Sequence, residues 1–140
     1  MKNLTKILIP VLIVFAISCQ KTETTPVDTT DYLPKILGSY NFKQKCGISP
    51  DEFNFTTITK SAAVNNGIEL KNFGNFGGKI VNATVSGKNI TIAKQIIDVG
   101  SAITITGTGT FDGTKTIDWN FTFSADGGIS GACSSIGNKQ

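Results

Sequence analysis

The stretch from Pro34 to Gln140 predicts an all-β domain: eight antiparallel strands in an up-and-down meander, closed into a small barrel. Three observations point there. β-Branched residues number 30 in that stretch (14 Ile, 12 Thr, 4 Val) against two leucines, a composition that suits pleated surfaces better than helices. Apolar residues recur with period two and nowhere sustain a period of 3.6. Turn-forming clusters cut the chain seven times at a regular pace. Connections this short join only antiparallel neighbours. The same strands split into two sheets would make a sandwich, which is the alternative architecture.

The elements follow in order. Gly38 opens a first strand that carries Tyr40 and Phe42 and ends at Cys46. Gly47 to Asp51 turns the chain, and Phe53 and Phe55 give the inner face of the second strand. Asn65-Asn66-Gly67 precedes a third strand with Ile68 and Leu70, and Gly74 to Gly78 ends it. Val81, Ala83 and Val85 alternate with Asn82, Thr84 and Ser86. A two-residue turn at Gly87-Lys88, of type II′, pairs Val85 with Ile90. Ile90 and Ile92 mark the fifth strand, closed by a turn at Gln95 to Gly100. Ile103 and Ile105 alternate with Thr104, Thr106, Thr108 and Thr110. Ile117, Trp119, Phe121 and Phe123 alternate with polar residues after Asp112-Gly113. Ala125-Asp126-Gly127 leads into the last strand with Ile129, Gly131 and Cys133. Keeping Ile105 and Phe121 on one face demands an odd loop near Asp112-Gly113-Thr114. That places Gly107 opposite Trp119 and Gly109 opposite Ile117, and bare glycines leave room for an indole. Ile36 completes the expected inner face, which is bulky enough to fill an eight-stranded barrel.

The N-terminal quarter is different. Lys2 and Lys6 precede an apolar run of eleven residues, Ile7 to Ile17, too short to span a bilayer and shaped like a secretory signal. Ala16-Ile17-Ser18-Cys19 resembles the lipobox of bacterial lipoproteins, with Ala16 where leucine is usual. The resemblance implies that residues 1–18 are removed and that Cys19 is lipidated as the mature N-terminus. Ordinary cleavage after Ala16-Ile17-Ser18 is the other reading. Of three cysteines, lipid on Cys19 leaves Cys46 and Cys133 to pair with each other. Both are in phase with the inner face, so a bond between them ties the first strand to the last, as closure requires. Residues 19–33 form a polar tether with five threonines and four charges from Gln20 onward, unable to bury enough surface to order itself. As a flexible chain it reaches about 20 Å. Gln20-Lys21-Thr22-Glu23 resembles the stretch that sends Bacteroidota lipoproteins to the cell surface. Asp28-Thr29-Thr30 resembles the short O-glycosylation motif of that phylum, with Thr29 as acceptor. A plain polar linker is the other reading of both short motifs. The expected location is the outer membrane, with the cell-surface side as what the resemblance implies and the leaflet left open.

Composition excludes several functions. There is no histidine, and all thirteen basic residues are lysines, so histidine-based triads, histidine-ligated zinc and guanidinium clamps are absent. Without Lys2 and Lys6 the charge falls to about +1 (11 Lys against 10 acids), too little for nucleic-acid binding. No metal loop, cofactor motif or facing carboxylate pair appears, and catalysis is not expected. Gly38-Ser39-Tyr40 resembles the Gly-x-Trp opening of lipocalin-like barrels, which implies that architecture for 34–140 and no functional residues. Asn72 to Gly78 carries Phe73 and Phe76 on a glycine-rich loop; the rings either stack on a sugar or fold back as a lid. With Tyr40 and Trp119 they make the candidate ligand set. The expected function is a non-catalytic envelope lipoprotein, a binding or accessory module. The alternatives are a carrier of a small apolar or saccharide ligand at the barrel mouth and a docking site for another envelope protein.

Overall fold

The computed structural model describes residues 30–140, so the signal segment, Cys19 and Thr29 lie outside it. Eight strands run as β1 (Gly38–Cys46), β2 (Glu52–Lys60), β3 (Gly67–Lys71), β4 (Ile80–Ser86), β5 (Asn89–Asp98), β6 (Ala102–Phe111), β7 (Thr116–Ala125) and β8 (Ser130–Lys139). Each pairs antiparallel with the next, and β8 returns to β1 to close a single barrel. A two-sheet sandwich is thereby set aside. The closing seam sets Cys46 directly opposite Cys133, and a disulfide joins them at a Cα–Cα distance of 4.1 Å.

A single helical turn, α1 (Leu33–Ile36), precedes β1. Pro34 lies in its first turn, where the missing N–H costs nothing. The fold therefore starts ahead of Pro34. Leu33 is buried and Tyr32 meets Phe111 edge-on at 6.2 Å, so the end of the expected tether belongs to the packed domain. Ile36 is inward as expected, but it sits in α1 and plugs one end of the barrel.

Three expectations about facing and register are corrected. Phe53 and Phe55 point outward, 76% and 50% exposed, while Asn54, Thr56 and Ile58 face in. The β1–β2 pairing sets Phe42 against Asn54 and Tyr40 against Thr56. Phe42 and Tyr40 stack inside the barrel at 5.7 Å, so the opposite positions take small side chains and the two extra phenylalanines are forced out. Second, Gly107 faces Phe121 and Gly109 faces Trp119, a slip of two residues from the expected register. Asp112 causes it: its carboxylate accepts the N–H groups of Thr114, Lys115 and Thr116 and the Thr114 hydroxyl, centring the turn one residue later. Those bonds, the Thr114 hydroxyl first, hold the Asp112 carboxyl well below the usual carboxylate range. A Cβ on Gly109, not Gly107, would meet the indole, at 2.7 Å from Cε3.

Third, β5 does not end at Gln95 but runs to Asp98. Ile92 pairs with Gly107 and Gln95 with Ile105, so β5 carries one extra residue, a bulge that moves the buried phase from Ile92 to Ile97. Beyond the bulge the Gln95 side chain replaces the ladder to β4, donating to the Asn82 carbonyl (2.7 Å) and accepting from its N–H (3.0 Å). The Gly87-Lys88 hairpin is as expected: Val85 pairs with Ile90, and Gly87 takes φ 58°.

The interior is filled. Trp119, Tyr40, Phe42, Phe73 and Phe111 are the largest fully buried side chains, joined by isoleucines from β2, β3, β5 and β6. Phe123, expected inside, is only half-buried because its end of β7 forms the rim.

Candidate functional site

The two ends of the barrel differ. At one, α1 lies across the opening. The Tyr40 hydroxyl donates to the Ile36 carbonyl at 2.9 Å, and Lys139 Nζ donates to the Lys35 carbonyl at 2.8 Å. Lys88 Nζ stands 5.4 Å from the centre of the Tyr32 ring. Thr30 and Asp31 lie beside Ser86 and Gly87, so the chain comes into the domain at this closed end. Tyr40 therefore belongs to the plug, not to a ligand site.

Burial, with a smaller push from the Asp112 charge, raises the Tyr40 phenol to about 12. A phenol raised above its unfolded value of about 10 contributes stability below that pH, and the contribution is lost as pH climbs toward 12. Melting temperature should accordingly fall across that window, and less so in Tyr40→Phe. Equal alkaline slopes for the two proteins would show that Tyr40 is not the group involved.

At the other end, the β1–β2 loop, the loop of residues 72–79 and the tips of β7 and β8 form a mouth. A 3₁₀ turn at Phe73–Asn75 drops Phe73 into it. Phe73 lies against Trp119 at 5.0 Å, ring edge to face, and against Phe121 at 4.8 Å. The lid expectation thus describes Phe73, which has become core. Phe76 stays at the rim, packed edge-on to Phe123 at 5.7 Å. Gly74, at φ 63°, makes this possible, because a Cβ there would lie 2.6 Å from the Phe76 ring.

Beside Phe76 is a pocket of about 220 Å³ lined by Gln44, the Cys46 end of the disulfide, Ser49, Glu52, Phe76 and Phe123. A buried polar chain leads to it. Thr56 Oγ1 donates to Asn54 Oδ1 (3.1 Å), Asn54 Nδ2 donates to Gln44 Oε1 (3.1 Å), and Gln44 Nε2 donates to Cys46 Sγ (3.3 Å). Each amide thus stays satisfied in a mostly apolar barrel. Sulfur is a weak acceptor, and an amide nitrogen has two hydrogens, so Gln44 keeps one donor for another group. Lys43 Nζ and Asp51 pair at 2.7 Å on the rim, and that hydrogen bond lowers the Asp51 pKa.

Of the sequence-based ligand set, the structure brings Phe73 and Trp119 together in the core, leaves Phe76 at the mouth and removes Tyr40 to the far end. Trp119 Nε1 is buried with no acceptor. Gln44, Glu52 and Phe123 were not legible as site residues, since only the β1–β2 register and the loop of residues 72–79 bring them together. The Thr ladder of β6 faces outward and lines part of a shallow groove of about 690 Å³ over β5 to β8, with Thr106 and Thr108 beside Asn120 and Thr122. Among the described residues no cluster of His, Cys, Asp and Glu is placed to hold a metal ion, and no helix is long and apolar enough to cross a membrane. Searches against protein-family models, curated proteins and solved structures find no match.

Proposed function

We propose that this protein is a non-catalytic cell-envelope lipoprotein, held at the outer membrane through lipid on Cys19, that works as a binding or accessory module through the open end of its barrel. The observation that carries the reading is the polarity of the barrel. The chain comes in at the end plugged by α1, and strands of nine or ten residues, tilted as in small barrels, put the mouth roughly 20–25 Å further along the axis. An anchor ahead of residue 30 attaches at the plugged end, so the mouth is the end left free to reach away from the lipid. The Cys46–Cys133 disulfide supports export, because such bonds persist in oxidising compartments. It also leaves Cys19 as the one cysteine of three without a thiol partner in the chain. The filled interior speaks against a carrier that swallows an apolar ligand.

Exposed Ile48, Phe53 and Ile129 near the mouth favour a second reading, in which the rim also meets an envelope protein. The lipocalin-like reading stands only as a plan, supported by the closed eight-stranded meander, and it assigns no residue a role. Anchoring is tested by Cys19→Ala. The wild type should incorporate labelled fatty acid and sediment with membranes, since multiple acyl chains make anchoring stable, and the variant should do neither. Unchanged fractionation of the variant would sink the anchor.

A further inference from the structure

Resting on the reading of the mouth as the working end, we propose that the pocket beside Phe76 binds a single neutral sugar residue. Its size decides the scale. At about 220 Å³ it is smaller than the roughly 300–1,000 Å³ typical of drug-sized sites, which suits one ring presented at a chain end or branch. Its lining decides the chemistry. Phe76 and Phe123 meet edge-to-face and are only half-buried, so they offer an apolar aromatic wall to the C–H face of a pyranose. Gln44 supplies a donor from a buried, pre-positioned amide, and Glu52, its cross-strand partner, and Ser49 line the same pocket with a carboxylate and a hydroxyl. A sugar hydroxyl both donates and accepts, so it answers all three.

Charged ligands fit less well. No lysine lines the pocket, so an anion would face Glu52 uncompensated. A cationic amine would suit Glu52 and the rings, but it cannot accept the Gln44 N–H. The polar chain from Thr56 through Asn54 to Gln44 then acquires a purpose. It fixes the Gln44 amide, so that little side-chain freedom is lost on binding.

The test is a titration of the full-length exported protein in detergent, followed by amide NMR. The probes are the methyl glycosides of glucose, galactose, mannose and N-acetylglucosamine, with choline as the cationic comparison. At least one glycoside should saturate with a millimolar-range dissociation constant and shift the Gln44 side-chain amide and the backbone of Gly74 and Phe76. Phe76→Ala and, at an exposed position, Glu52→Gln should each weaken that binding on the order of tenfold. If Phe76→Ala loses its native spectrum, Glu52→Gln alone carries the comparison. The proposal is overturned if no glycoside shifts the mouth up to tens of millimolar, if choline alone does, or if the shifts fall only on the outer groove of β5 to β8. Lipid labelling is read separately, so a failed sugar site and a failed anchor are distinguishable.

Discussion

Gly137→Val should destabilise the barrel by about 3 kcal/mol, at the upper end of what overpacking costs. For a domain of this length that is on the order of 10–20 °C in melting temperature. Gly137 lies at the closing seam, opposite Phe42 of β1 and opposite Ile117 of β7. The Phe42 ring covers it so closely that an added Cβ would fall on the ring's Cδ1 and Cε1 atoms. Phe42 cannot swing away, because it is fully buried and stacked on Tyr40. Adding Phe42→Leu to Gly137→Val should return part of the loss, since the two residues share one space. Thermal melts of the two single variants and the double variant measure this. A neutral Gly137→Val would mean that the β1–β8 register is wrong.

Replacing both Cys46 and Cys133 with alanine should cost a similar or larger amount. The bond spans 87 residues, and releasing a loop of that length restores unfolded-state entropy worth roughly 4–5 kcal/mol in the chain-entropy model. The two residues are cross-strand neighbours on the closing pair, so the backbone ladder survives and the variant should still fold at low temperature. The denaturation midpoint should fall in the double variant, and reductant should lower the wild type to the same value. A loss below about 1 kcal/mol would show that closure rests on the β1–β8 ladder and side-chain packing alone. Loss at the mouth has a second consequence, because Gln44 gives up its sulfur acceptor and the pocket loses one wall.

The strand count was legible because turn signals are local, and the closure because one cysteine pair 87 residues apart ties the first strand to the last. Gly87-Lys88 fixes a hairpin by itself, and two cysteines in phase with their strands name the seam. Facing was legible only where one face is plainly apolar, as on β4 and β7. On β2 it failed because Phe53 and Phe55 alternate as convincingly as Asn54, Thr56 and Ile58. The choice between those phases was made by Tyr40 and Phe42 on the neighbouring strand, which fill the space first. Parity of the β6–β7 loop gave the correct face for Trp119, but parity cannot see a slip of two residues. The Asp112 side chain sets that slip through its bonds to the turn. The bulge in β5 hides behind Gln95, whose amide stands in for a backbone pair. As for the site, Phe76 was conspicuous on its glycine-rich loop. Gln44 and Glu52 were not, because a lone amide and a lone carboxylate mean little until register pairs them.

Placing the working mouth away from a lipid anchor rests on Cys19 being acylated while Cys46 and Cys133 are joined. The most direct measurement is the intact mass of the protein extracted from outer membranes, before and after reduction. The expected chain begins at Cys19, carries the mass of a diacylglycerol plus an amide-linked acyl chain, and gains a pair of hydrogens on reduction. An unacylated chain, or a mass that reduction leaves unchanged, would contradict it.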